Sequence, residues 1–189
     1  MSVRVFRYRG KNYRAPLGQL ALGGVDRRDW YERSKRSVRE YAHTQQLNPE
    51  YVASVVAILS PRVSVDFNVK LADEYCRTGK ASGAMGARVD ALDKYERTGV
   101  FSGPKVNAFK LALLGDSRAC VIDSWMYRVA GDERYPGKLA YIDACDRVRA
   151  CAEQLGWPIA ETQAAIWTGV RRLVGFPDVP SLTMPGVSS

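Results

Sequence analysis

The sequence has a single histidine, His43, and only four cysteines in its 189 residues. The cysteines are Cys76, Cys120, Cys145 and Cys151, and none of them forms a Cys-x-x-Cys pair. This spacing does not fit a clustered zinc or iron–sulfur site. We therefore expect no metal site and no iron–sulfur cluster, and we interpret the cysteines as small buried hydrophobic residues in a reducing compartment.

Long apolar segments are also missing. No uninterrupted apolar run in the sequence approaches the roughly twenty residues of a membrane-spanning helix. No apolar stretch of the kind found in signal peptides follows the N-terminal charges. We therefore expect a cytoplasmic protein without a membrane partner.

Acidic residues are outnumbered by basic ones, 20 to 28, which leaves a net charge of +8. An excess of this size favours a polyanionic partner, because each neutralised phosphate releases condensed counterions. Residues 1–24 form a basic arm with aromatic residues between the cations, and we expect either a short strand pair or no regular structure there. This pattern suits backbone contact plus base stacking, and a solvated arm explains it equally well. The residues concerned are Arg4, Phe6, Arg7, Tyr8, Arg9, Lys11, Tyr13 and Arg14.

Helical periodicity dominates the rest of the chain. From Val52 to Leu59, apolar residues recur at i, i+3, i+4 and i+7, which predicts an amphipathic helix. No series of strands is visible, so the pattern predicts an all-α protein with a helical domain over residues 25–174 and a flexible tail over 175–189. Helix starts are predicted at Asp26, Pro49, Ser64, Pro104, Asp123, Gly137 and Pro158, and helix ends at Gly99, Gly115 and Gly156.

Two residues are candidates for catalysis. Lys105 lies in the first turn of a predicted helix, where the helix dipole favours the neutral amine, a nucleophile able to form a Schiff base. Asp123 follows two apolar residues at the start of another helix. Each residue also has a purely structural interpretation, which for Asp123 is an N-cap.

Together these segments resemble the helix-hairpin-helix (HhH-GPD) superfamily of endonuclease III-like DNA glycosylases. Lys105 matches the family's lysine at a helix start, Asp123 matches its Val-Asp aspartate, and Arg128-Val129 matches its Arg-Val pair. The segment from Leu59 to Arg62, with Asn68, is similar to the family's Leu-Ser-Ala-Gln segment and downstream asparagine. The resemblance covers about residues 52–129. It implies a two-lobed helical bundle with a central cleft and a helix-hairpin-helix region over about residues 89–114.

The sequence departs from the family in its hairpin. The family pattern Leu-Pro-Gly-Val-Gly is replaced by Gly-Val-Phe-Ser-Gly at residues 99–103, so Phe101 stands where the family has a glycine. Such a hairpin presents backbone N–H groups to a DNA phosphate, and losing a glycine changes its conformation. Arg62 replaces the glutamine that probes the opened duplex in the family.

The resemblance implies an enzyme that flips a modified or damaged base into a pocket. Asp123 would stabilise the cationic sugar or deprotonate the nucleophile, and Lys105 would attack the anomeric carbon, giving hydrolase or lyase chemistry in base excision. No cofactor is implied, although a monovalent cation at the hairpin is compatible with the pattern, and the expected state is a DNA-bound monomer. The implied DNA-binding residues are Ser102, Gly103, Arg62, Asn68 and Arg128, and the implied pocket residues are Ser60, Trp125 and Gln163.

Two alternatives stay open because fold does not dictate function. A divergent phage-type member would transfer an amino acid or a polyamine to an activated hydroxymethyluracil in DNA, in the cytoplasm or nucleoid of the host cell. Such a transferase predicts an additional site for an amino donor or pyrophosphate, lined by arginines. A non-catalytic DNA-binding module predicts that Asp123 serves only as a helix cap.

Overall fold

A computed structural model describes residues 4–100, 103–131 and 137–187 of the chain. Within these ranges the protein is mostly helical, with nine α-helices and one antiparallel hairpin that pairs Arg4 with Ala15 and Tyr8 with Lys11. The elements are β1 (Arg4–Tyr8), β2 (Lys11–Ala15), α1 (Leu17–Gly23), α2 (Trp30–Thr44), α3 (Pro49–Leu59), α4 (Val65–Thr78), α5 (Gly86–Thr98), α6 (Pro104–Leu114), α7 (Ser124–Val129), α8 (Lys138–Leu155) and α9 (Ile159–Leu173).

Local capping explains most helix boundaries. The Ser64 hydroxyl accepts a hydrogen bond from Phe67 N at 3.2 Å and begins α4, as predicted. Gly99, Gly115 and Gly156 end α5, α6 and α8 in the left-handed conformation, which glycine adopts at little cost. The prediction at Asp26 was wrong, because Asp26 lies in a short 3₁₀ turn and α2 begins only at Trp30.

The basic arm predicted over residues 1–24 is folded in its described part. The hairpin accounts for residues 4–15, so the strand pair is the correct alternative, and α1 follows directly. Phe6, Ala15, Leu20 and Ala21 are buried in the core that this part of the chain shares with α7, α8 and α9. Their burial explains why the arm is not a frayed, solvated segment.

The chain divides into two compact units. Unit 1 comprises residues 1–31 and 116–179 and contains the hairpin, α1, α7, α8 and α9. Its helices α1 and α9 are in close contact at Gly169. A Cβ atom added there would lie only 1.9 Å from the Leu20 carbonyl oxygen, so the approach requires glycine. Gly24 lies equally close to α9, where an added Cβ would come within 2.1 Å of the Ala165 carbonyl oxygen.

Unit 2 comprises residues 32–115 and 180–189 and contains most of α2 together with α3 to α6. Its central element is α3, which is buried from Val52 to Leu59 and packs against α4, α5 and α6. No helix among the residues that the structure describes is long and apolar enough to cross a membrane.

The C-terminal segment differs from the flexible tail predicted over residues 175–189. Leu182 and Met184 are both buried in unit 2. Their backbone N–H groups donate to the hydroxyls of Ser34 and Ser37, at 3.0 and 2.7 Å. These two serines lie one helical turn apart on α2, so the segment is held along that helix in its described part.

Candidate active site

The carboxylate of Asp123 is held by three hydrogen-bond donors. Its Oδ1 accepts from Trp125 N and Met126 N, both at 2.9 Å, which makes it the predicted N-cap of α7. Its Oδ2 accepts from the indole Nε1 of Trp167, also at 2.9 Å. Asp123 remains partly exposed, and a carboxylate oxygen can accept more than one hydrogen bond. The capping role therefore uses one oxygen fully and leaves Oδ2 with acceptor capacity.

Helix α9 supplies the groups beside this carboxylate. Gln163, Trp167 and Arg171 are spaced at i, i+4 and i+8 and therefore lie along one face of the helix. The Gln163 Oε1 accepts a hydrogen bond of 2.6 Å from the hydroxyl of Tyr31. Burial, and after it the negative charge of Asp123, raise the pKa of Tyr31 well above its usual value, so this phenol stays protonated and acts as a donor. Gln163, a predicted pocket residue, thus belongs to the surroundings of Asp123.

Three arginines and three aromatic rings form a second feature of unit 1, which we call the arginine–aromatic cluster. Trp125 packs against Tyr8 and Phe176, with ring centroids 5.0 and 5.4 Å apart. The guanidinium of Arg128 lies 4.6 Å from the Trp125 ring centroid, and that of Arg171 lies 5.1 Å from the Phe176 centroid. The cluster consists of Tyr8, Arg9, Trp125, Arg128, Arg171 and Phe176.

In unit 2 the structure brings together Lys105 and Ser60. The Lys105 Nζ donates a 2.5 Å hydrogen bond to Ser60 Oγ and lies 5.2 Å from the ring centroid of Phe109. The Ser60 hydroxyl in turn donates to Ala57 O at 2.9 Å. Lys105 lies in the first turn of α6 and is half-buried, which agrees with its predicted position.

The other residues predicted to bind DNA in unit 2 differ in exposure. Arg62 is exposed, with a left-handed backbone at φ 58°. The preceding residue is held in place, because the guanidinium of buried Arg88 donates a hydrogen bond to the Pro61 carbonyl. Asn68 is only 3 % exposed, and its Oδ1 has no hydrogen-bond partner among the described residues. Asn68 is therefore an interior group of unit 2, as Gln163 is in unit 1, and its role as a DNA-binding residue stays a prediction.

The predicted helix-hairpin-helix region contains two helices, α5 and α6, joined by residues 99–103. Gly103 is exposed and has a φ of 89° as it begins α6. Ser102, predicted to bind DNA, and Phe101 lie outside the described residues. Within the described ranges, no group of three or more His, Cys, Asp or Glu side chains is arranged to hold a metal ion.

The two predicted catalytic residues belong to different units, Lys105 to unit 2 and Asp123 to unit 1. Of the other predicted residues, Trp125 donates its backbone N–H to Asp123 and Arg128 lies against the Trp125 ring. Gln163 accepts a hydrogen bond from Tyr31, whose pKa the charge of Asp123 raises. Sequence reasoning missed Tyr31 and Arg171 as members of this site. The spacing of Gln163, Trp167 and Arg171 along α9 is the signal that points to Arg171.

The fold and this site describe a mostly helical protein with a rigidly held carboxylate beside arginines and aromatic rings. Residues 23–173 match the model of DUF7178, a family of unknown function. Because this match spans most of the sequence, the chain belongs to that family. No curated protein and no solved structure matches the chain.

Proposed function

We propose that this protein is a DNA-processing enzyme that acts on a single extruded base, with Asp123 as its catalytic carboxylate. The observation that carries the proposal is the set of three donors on Asp123, from Trp125 N, Met126 N and Trp167 Nε1. A carboxylate fixed in this way needs no reorientation when positive charge develops next to it. The resemblance to HhH-GPD glycosylases and the net charge of +8 support DNA as the substrate.

Base excision would use this carboxylate as follows. The bond between the sugar and the base breaks, its electron pair leaves with the base, and positive charge develops at the anomeric carbon. Asp123 stabilises that charge and accepts the proton of the attacking nucleophile. The Gln163 amide is oriented by Tyr31, which occupies its oxygen, so its N–H groups are the part that suits a base carbonyl.

Lys105 is the candidate nucleophile for a lyase step, by resemblance and by its position at the start of α6. Its ammonium group already has the Ser60 hydroxyl and the Phe109 ring as neighbours. A ring face attracts the charged form, so Lys105 must lose a proton before its amine attacks carbon. Its role therefore has to be tested separately from that of Asp123.

The test combines base release with borohydride trapping on duplex DNA that carries candidate modified or abasic sites. Asp123→Asn retains a capping side chain and removes the negative charge, so we expect base release to fall at least about a hundredfold. Asp116→Asn is the matched control, because Asp116 also accepts a backbone hydrogen bond, from Arg118 N, in the same unit. Equal base release by the wild type and Asp123→Asn would refute the assignment.

The Lys105→Ala variant tests the lyase step. A borohydride adduct that forms with the wild type and disappears in Lys105→Ala assigns a Schiff base to this lysine. Base release that persists in Lys105→Ala without any adduct in the wild type indicates a glycosylase without lyase activity.

A base-modifying transferase is the second candidate, favoured by the three arginines gathered around Trp125 and Phe176. In such a reaction the amine nitrogen attacks the activated methylene carbon, pyrophosphate leaves with the electron pair of the C–O bond, and the amine loses a proton. The measurement is pyrophosphate release from DNA that contains activated hydroxymethyluracil, with and without an amine donor. Release that depends on both the amine and Asp123 would favour this candidate over excision.

A further inference from the structure

The basic and aromatic N-terminal stretch does not enter the proposed chemistry, yet the structure places part of it beside the site. The hairpin turns through Arg9 and Gly10, which both have positive φ, at 47° and 78°. Two such residues form the type of two-residue turn that matches the twist of a β-hairpin. The turn places the Arg9 guanidinium 5.4 Å from the ring centroids of both Tyr8 and Phe176.

Two cations of this cluster, Arg9 and Arg171, are available to an anionic partner. Neither Arg9 nor Arg171 forms an ion pair with any residue of the described ranges. The Nε atom of Arg171 is buried and lacks a hydrogen-bond partner there. Burial lowers the pKa of Arg171, while the charge of Asp123 opposes that shift. A buried donor without a partner is costly, so this guanidinium suits an incoming acceptor.

The rings of the cluster are half-buried and therefore partly accessible. Each of Tyr8, Trp125 and Phe176 has two guanidinium groups within about 6 Å of its ring centroid, the nearer ones at 5.4, 4.6 and 5.1 Å. Alternating cations and ring faces match a nucleic-acid strand, which alternates phosphates with bases. A duplex hides its base faces within the stack, whereas a single strand offers them to aromatic side chains.

We propose that the arginine–aromatic cluster binds a single-stranded segment of nucleic acid, with Arg9 and Arg171 on phosphates and Tyr8, Trp125 and Phe176 stacked on bases. The proposal extends the proposed function, because the backbone N–H of Trp125 also donates a hydrogen bond to Asp123. It therefore assigns an opened or single-stranded region, next to the extruded base, as the substrate. Binding at the cluster does not itself require that Asp123 be catalytic.

The test measures fluorescence anisotropy of labelled oligothymidylate with the full chain at several salt concentrations. The variants are Arg9→Asn, which removes the charge and suits a left-handed position, and Phe176→Leu, which removes a ring. We expect each to weaken single-strand binding about tenfold and Arg9→Asn to lower the salt slope by about 0.7. Arg118→Gln is the matched control, because Arg118 is an exposed cation of the same unit outside the cluster.

Three results would overturn the proposal. The first is an equal loss of binding in Arg9→Asn and Arg118→Gln, which would mean that only overall charge matters. The second is a cluster-dependent preference for duplex over oligothymidylate. The third is displacement of the oligonucleotide by an equal concentration of pyrophosphate, which would assign the arginines to a free anion.

Loss of base release in Asp123→Asn with unchanged oligothymidylate binding would separate catalysis from this surface. Cluster-dependent binding without base release on any DNA would support the surface and remove the proposed chemistry.

Discussion

The indole Nε1 of Trp167 donates a 2.9 Å hydrogen bond to Oδ2 of Asp123, the oxygen that does not cap α7. This bond makes the orientation of the carboxylate depend on α9 as well as on its own helix. Trp167→Phe keeps a ring at this position and removes the donor. Because the acceptor is charged and partly exposed, we expect a loss of about 1.5 kcal/mol in the free energy of unfolding, and about tenfold slower base release.

Urea unfolding and a base-release assay measure the two effects of Trp167→Phe. Trp157→Phe is the control, since Trp157 precedes α9 in the same unit and contributes its ring face to Arg28. The double variant with Asp123→Asn completes a mutant cycle. Additive effects of the two substitutions would show that the hydrogen bond does not couple these residues.

The helix boundaries of this protein are predictable because their signals are local. Ser64 caps α4 within its first turn, and Gly99, Gly115 and Gly156 end helices at the residue where the backbone turns left-handed. Asp123 as a helix cap belongs to the same group, because the donors it binds are two and three residues away. Such features need no knowledge of the rest of the fold.

The features that were missed depend on distant parts of the chain. Trp167 lies 44 residues from Asp123, and Leu182 lies 148 residues from the serine that binds its N–H. A Pro-, Gly- and Ser-rich segment has the composition of a mobile tail, and only the two buried serines on α2 show that it is held. The burial of Asn68 likewise depends on the packing of unit 2 and has no local signal in the sequence.

The contact between α1 and α9 predicts a sensitive glycine. In Gly169→Ala the new Cβ would meet the Leu20 backbone, with its oxygen at 1.9 Å, so the two helices must separate. We expect unit 1 to lose about 3 kcal/mol of stability, measured by chemical denaturation. Gly86→Ala is the control, because Gly86 lies in α5 with no atom within 4 Å of an added Cβ. We expect Gly86→Ala to be as stable as the wild type or slightly more stable. A Gly169→Ala protein as stable as the wild type would contradict the close packing of α1 and α9.

The C-terminal segment of unit 2 should contribute measurably to stability. Leu182 is 1 % exposed, so Leu182→Ala removes buried methyl groups and leaves a cavity, at a cost of about 3 kcal/mol. Leu139→Ala is the matched control, since Leu139 on α8 is 81 % exposed. Thermal unfolding followed by circular dichroism compares the two variants. A midpoint for Leu182→Ala as high as that of Leu139→Ala would mean that residues 180–187 are not held against α2.

Arg172 predicts how unit 1 responds to acid. Its Nη1 and Nη2 donate to the two carboxylate oxygens of Asp26 at 2.7 and 2.9 Å, and its Nε donates to Asp178 at 2.7 Å. The hydrogen bonds from Arg172 lower the pKa of Asp26 to about 2, and they also lower the pKa of Asp178. An unfolded aspartate has a pKa of about 3.9. The stabilisation is therefore complete above about pH 4 and is lost as the pH falls towards about 2.

Arg172→Gln should remove this acid-dependent part of the stability. Asp26 is 56 % exposed, so solvent screening limits its contribution to about 1 kcal/mol or less. Urea unfolding at pH values from about 5 down to about 2 should show a steeper loss for the wild type than for Arg172→Gln. Arg149→Gln is the control, because it removes an exposed arginine paired with Asp146 on α8. If the stability of the wild type and of Arg172→Gln falls in parallel with pH, removing Arg172 has not changed the pH dependence of unfolding. The Asp26–Arg172–Asp178 contacts would then not persist in solution.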